Sequence, residues 1–84
     1  MISAAQLRAA RALLSIDQRA LAALAGVSLP TIQRMEASHD EHVRGVISTL
    51  TKVVAALDAA GVELIGNEQP GQGRGRGVRL KTPQ

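Results

Sequence analysis

The stretch from residue 17 to residue 36 constrains the fold of this 84-residue chain more than any other. It predicts two short helices joined by a tight turn, because apolar residues recur at helical spacing on both sides of Gly26. A glycine there can adopt the left-handed conformation that ends a helix without steric cost. Asp17 and Ser28 are good N-caps for the two helices, and Pro30 falls in the first turn of the second. Two helices around a glycine-containing turn make a helix-turn-helix unit.

Several residues of this stretch follow the spacing of a known helix-turn-helix family without an insertion or deletion: Gln18, Leu21-Ala22, Ala25-Gly26-Val27-Ser28, Thr31-Ile32 and Glu36. On these residues the chain resembles the XRE family, the Cro and lambda-repressor type of transcription regulator, from Leu7 to about Leu57. The resemblance implies a mainly α, lambda-repressor-like domain of about four to five helices, whose recognition helix (about residues 29–36) binds the major groove of double-stranded DNA. An ordinary helical hairpin in another small α-domain is the alternative.

The resemblance places the outward residues near the start of the recognition helix against base edges. Arg34 can bond guanine in a bidentate way, and Gln33 can read adenine. Leu29 and Pro30 offer only apolar contact, for example to thymine methyl groups, which departs from relatives with polar side chains there. Thr31 can reach a phosphate or act as a local cap.

Other residues are expected to contact phosphates. Gln18 lies at the positive N-terminal end of the first helix of the motif, where phosphate binds readily, although a solvated glutamine without a role is the alternative. Arg19 lies beside it, and Arg44 is the basic residue of the loop 38–45, which otherwise carries acidic residues. The candidate DNA-binding residues are therefore Gln18, Arg19, Ser28, Leu29, Pro30, Thr31, Gln33, Arg34 and Arg44.

One arginine interrupts an apolar stripe of the predicted first helix. Leu7, Ala10, Arg11 and Leu14 share one helical face. An arginine on such a face needs an acidic partner, because an unpaired buried charge is very costly, unless its head reaches solvent. The family resemblance implies that Arg11 forms a structural ion pair with Glu36.

The net positive charge of the chain comes from its C-terminal end. Residues 1–66 carry six basic and six acidic side chains, so the net charge of +3 belongs to residues 67–84. Net charge therefore does not identify the helical body as a DNA-binding surface. Arg74 and Arg76 stand in a glycine-rich loop over residues 66–77 that either lies along phosphates or only solubilises the chain.

Composition excludes other classes of function. The chain has no cysteine, which excludes a disulfide or a thiolate zinc site, and no apolar run approaches the ~18 residues of a membrane span. No set of nucleophile, base and acid indicates an enzyme, and we expect neither a cofactor nor a metal. His39 and His42 stand three residues apart beside two acidic residues, and we expect a solvated polar loop there in preference to a metal site. A cytoplasmic protein is the default expectation.

The remaining segments predict two more helices. Ser3 and Gln6 can form a capping box at the start of a first helix that runs to about Leu14. Val46–Ala60 carries an apolar stripe at helical spacing, and Gly61 is its stop signal.

After Gly61 the apolar residues no longer recur at helical spacing. Residues 62–65 and 78–81 alternate and contain β-formers, which predicts two short strands. We therefore divide the chain into a helix-turn-helix domain, residues 1–61, and a C-terminal tail, residues 62–84.

An isolated two-stranded hairpin is marginal in water, so the strands are expected to pack on a second subunit or on the fourth helix. The preferred expectation is a homodimer whose interface includes Val62, Leu64, Ile65, Val78 and Leu80, and the alternative is a hairpin folded on its own subunit. The function expected is that of a dimeric transcription regulator. The alternative is a protein-interaction module, antitoxin-like or an anti-activator, which the apolar Leu24, Leu29 and Pro30 favour.

Overall fold

A computed structural model describes residues 2–38, 47–66 and 76–81. These ranges contain four helices followed by a two-stranded antiparallel sheet: α1 (Ala4–Leu14), α2 (Gln18–Ala25), α3 (Leu29–Glu36), α4 (Ile47–Ala59), β1 (Val62–Ile65) and β2 (Gly77–Leu80). The predicted fold class, mainly α with a C-terminal pair of short strands, is confirmed. The second strand was predicted over residues 78–81 and lies one residue earlier, over Gly77–Leu80. Val46, the predicted first residue of the fourth helix, lies outside the described residues.

Each of the first three helices begins at the side chain that the sequence predicts as its cap. The hydroxyl of Ser3 accepts from the Gln6 N–H at 3.1 Å, and Oε1 of the Gln6 side chain accepts in return from the Ser3 N–H at 2.9 Å. Asp17 accepts from the Ala20 N–H at 2.8 Å, and Ser28 caps α3 in the same way. These local bonds satisfy N–H groups that have no partner inside the helices.

The core is formed by apolar side chains from all four helices and β1. On α4, three residues at helical spacing, Leu50, Val53 and Leu57, are buried, and Val54 is half-buried against them. The remaining core residues are Ile2, Ala4, Leu7, Ala10, Leu21, Ala22, Ala25, Ile32, Met35 and Val62. No helix in the described part of the chain is long and apolar enough to cross a membrane.

The hairpin packs on α1 and α4 of its own chain. Its register pairs Val62 with Leu80 and Leu64 with Val78, so these four side chains share one face of the sheet. Val62 is only 2 % exposed. In the single chain Val62 therefore belongs to the core, which β1 enters directly after the turn at Gly61. Its part in a dimer interface stays a prediction. Of the five residues expected at a dimer interface, Leu64 and Val78 are half-buried against the core, and Ile65 and Leu80 stay exposed.

A buried glutamine holds the loop end of the hairpin, where Ile65 pairs with Gly77, on α1. Besides its part in the capping box, the Gln6 side chain donates from Nε2 to the carbonyl oxygens of Ile65 and Gly77, at 3.2 and 3.1 Å. At the other end, the Lys81 N–H donates to the Gly61 carbonyl at 2.7 Å. The Gln6 bonds thus attach the sheet to α1, and the Lys81 bond extends the pairing of the strands to the turn that precedes β1.

Candidate nucleic-acid interface

The turn between α2 and α3 is closed by backbone bonds and a left-handed glycine. Gly26 has φ +70°, and the Val27 N–H reaches back to the Ala22 carbonyl at 3.0 Å. Ala22 is buried, and so is Ile32 on the facing side of α3. A small side chain at position 22 lets the two helices approach closely, which fixes the direction in which α3 leaves the turn.

The Glu36 carboxylate is the point where the first three helices meet. It is buried, and Arg11 of α1 donates to both of its oxygens: Nε to Oε2 at 2.6 Å and Nη2 to Oε1 at 2.7 Å. Gln18 of α2 donates from Nε2 to Oε1 at 3.1 Å. The structure thus contains the ion pair of Arg11 with Glu36 that the resemblance implies. The pair is bidentate, which is the strongest arrangement for an arginine and a carboxylate.

The ion pair raises the pKa of the Arg11 guanidinium. Its pKa lies above the ordinary value for arginine because the side chain bonds to Glu36, which outweighs the opposing effect of burial; the charges of Glu36 and Asp17 add to the increase. The remaining donor, Nη1, bonds the Ile16 carbonyl at 3.3 Å and so holds the link between α1 and α2.

A second arginine of α1 binds the end of α3. Arg8 donates from Nη1 to the backbone carbonyl of Glu36 at 2.7 Å. A cation at the C-terminal end of a helix bonds a carbonyl that has no partner inside the helix, and it also opposes the negative end of the helix dipole. This role of Arg8 was not predicted from the sequence, where the one signal for it is the position of Arg8 three residues before Arg11, on the same side of α1.

The structure gives Gln18 a role that the sequence did not predict. Its amide nitrogen is held by Glu36 and its side chain is half-buried, so it links α2 to α3. An amide nitrogen carries two hydrogens. The bond to Glu36 therefore orients the group and uses one of these two hydrogens.

The outward face of α3 carries most of the candidate base-reading residues. Pro30, Gln33 and Arg34 are exposed and Leu29 is half-buried, whereas Ile32, Met35 and Glu36 point inward. Among the other candidates, Arg19 and Ser28 are exposed and Thr31 is half-buried. Arg44, His39 and His42 lie outside the described residues.

The sequence matches no protein-family model. It also matches no curated protein sequence. The interpretation of this surface therefore depends on its own residues and geometry.

Proposed function

We propose that this chain is a sequence-specific DNA-binding transcription regulator of the XRE type, which acts in the cytoplasm as a dimer. The observation that carries the proposal is the division of α3 into two faces. Its inner face is buried and bonded to α1 and α2 through Glu36, while its outer face presents Gln33 and Arg34 to solvent. A short helix that is held rigidly and exposes such side chains suits insertion into a major groove.

Exposed cations on α2 and α3 support a nucleic acid as the partner. Arg34 is the exposed charged side chain of α3, and Arg19 is exposed at the start of α2. The acidic residue of α3, Glu36, is buried and paired with Arg11, so it does not oppose a phosphate backbone.

A dimer follows from the size of this surface. One short recognition helix reads only a few base pairs, and two copies related by a two-fold axis would read two half-sites about 34 Å apart. Ile65 and Leu80 of the hairpin are exposed apolar side chains on opposite faces of the sheet, and a second copy could cover either of them.

Selection of bound duplexes from a random pool tests the proposal, followed by binding measurements on variants. We expect the selected duplexes to carry two-fold related half-sites. Arg34→Ala should weaken specific binding by roughly 1–3 kcal/mol and relax the choice of base at one position. Lys52→Ala is the matched control, because it also removes one exposed positive charge but from α4. Equal losses for the two variants would contradict the assignment of α3 to the groove.

One observation favours a second function, that of a protein-interaction module such as an antitoxin-like or anti-activator protein. Leu24, on α2, is 55 % exposed, and the first turn of α3 adds apolar surface from Pro30. Binding of duplex DNA should weaken steeply as salt rises, because counterions are released from the phosphates. A mobility shift that is absent even at low salt would favour the protein partner.

A further inference from the structure

The outward face of α3 has an apolar half and a polar half. Leu29 and Pro30 belong to the first turn, and Gln33 and Arg34 follow one turn later. The side chains of leucine and proline neither donate nor accept hydrogen bonds, and proline has no backbone N–H. Leu29 and Pro30 therefore cannot read a base through side-chain hydrogen bonds.

The two hydroxyl groups beside this turn are bonded to each other. Ser28 Oγ and Thr31 Oγ1 lie 2.8 Å apart, and Ser28 Oγ also accepts from the Thr31 N–H at 3.3 Å. The hydroxyl groups of Ser28 and Thr31 are thus engaged in hydrogen bonds at the N-terminus of the helix. What the first turn presents outward is the exposed ring of Pro30 and the half-buried side chain of Leu29.

Apolar surface beside an arginine fits one chemical group of the major groove. The 5-methyl group of thymine is the apolar feature that base pairs display there, while guanine offers the acceptors that suit Arg34. We propose that Leu29 and Pro30 are specificity-determining residues that read thymine 5-methyl groups. The inference rests on the proposed function, because it requires α3 to enter the major groove.

The helix geometry also predicts where that thymine lies. Pro30 and Arg34 are four residues apart on α3. Four residues span about 6 Å along a helix. Bases are stacked about 3.4 Å apart. Because the helix is inclined to the DNA axis in the groove, about 6 Å is the upper limit of their separation along the stack, so the thymine should lie within about two base pairs of the guanine that Arg34 contacts.

Replacement of thymine by deoxyuridine tests the inference, because deoxyuridine pairs in the same way and lacks only the methyl group. In a duplex selected from a random pool, each thymine is replaced in turn. We expect the parent chain to lose roughly three- to tenfold in affinity at one or two thymines. Pro30→Ala and Leu29→Ala should bind the unmodified duplex more weakly, and at least one of them should lose nothing further at the uracil.

Gln33→Ala is the matched control, since Gln33 is an exposed neighbour on the same helix. It should keep the full loss at the uracil. Because the comparison is between two duplexes bound by the same variant, a general weakening of any variant cancels. Far-ultraviolet dichroism shows whether each variant keeps its helices.

The possible failures are distinguishable. If the parent binds every uracil-containing duplex as tightly as the selected one, the inference is overturned and the proposed function stands. If the loss at the uracil is the same in Leu29→Ala, Pro30→Ala and the parent, other residues read the methyl group, and the inference is again overturned. A selection that enriches no duplex would overturn the proposed function itself.

Discussion

The helix-turn-helix and the hairpin both use contacts between cations and carboxylates, but in different surroundings. In the first, Arg11 bonds a Glu36 side chain that is 3 % exposed. In the second, Arg79 bonds Glu63 at 2.8 Å, with side chains that are 65 % and 44 % exposed, and Lys81 contacts Asp58 on the surface. Water solvates the exposed charges whether or not they are paired, so such pairs contribute little. A buried carboxylate has only its protein partners, so the loss of one is expensive.

The hairpin depends instead on a neutral buried group. Gln6 is 2 % exposed, and its amide bonds the backbone of both strands as well as that of Ser3. One buried polar side chain therefore organises each region: Glu36 joins three helices, and Gln6 joins α1 to the sheet. Because only Glu36 is charged, the cost of losing it should be the larger.

The largest effect is expected for Glu36→Gln. The change removes the charge that Arg11 needs and should cost roughly 3–5 kcal/mol. The stability of a small domain is often of that size, so much of the population would unfold at room temperature. Thermal unfolding followed by far-ultraviolet dichroism measures the loss, since the chain has no Trp or Tyr. Glu63→Gln is the control, because it removes a paired carboxylate that is exposed. If both changes lowered the melting temperature equally, the buried ion pair would stabilise the fold no more than the exposed one, which would contradict the comparison.

A smaller effect is expected for Gln6→Ala. The variant leaves the Ser3 N–H without its acceptor and removes a donor from the carbonyls of Ile65 and Gly77, which should cost about 1–3 kcal/mol. Hydrogen exchange should quicken most at the amides of β1 and β2 and least at those of α2 and α3. Gln33→Ala, which removes an exposed glutamine, should leave the pattern unchanged. Uniformly faster exchange would show that the hairpin and the helices open as one unit.

The smallest effect concerns pH. The hydrogen bond and the charge of Arg79 lower the pKa of Glu63 below its ordinary value of 4.5. A carboxyl whose pKa is lower in the folded chain stabilises the fold above the ordinary value and loses that contribution as pH falls through the folded-state value. Parent and Glu63→Gln should therefore differ slightly in melting temperature at neutral pH and converge in acid. A difference that grows below pH 4.5 would contradict this account.

The features that follow from neighbouring residues could be predicted from the sequence. The caps at Ser3, Asp17 and Ser28, the left-handed Gly26 and the apolar stripe of α4 each involve residues close together in the chain, so local propensity and periodicity reveal them. The ion pair of Arg11 with Glu36 was implied by the family resemblance and not by the charge pattern.

By itself, the sequence determined the helices, their caps, the turn between α2 and α3 and the approximate strands. Only the tertiary structure decided which polar groups meet: the amide of Gln6 bonds residues 59 and 71 positions later, and Arg8 and Gln18 converge on Glu36. It also decided that the hairpin packs on its own helices and buries Val62. The physical reason is that a buried polar group must find a partner wherever packing brings one, and no local pattern specifies which distant group that will be.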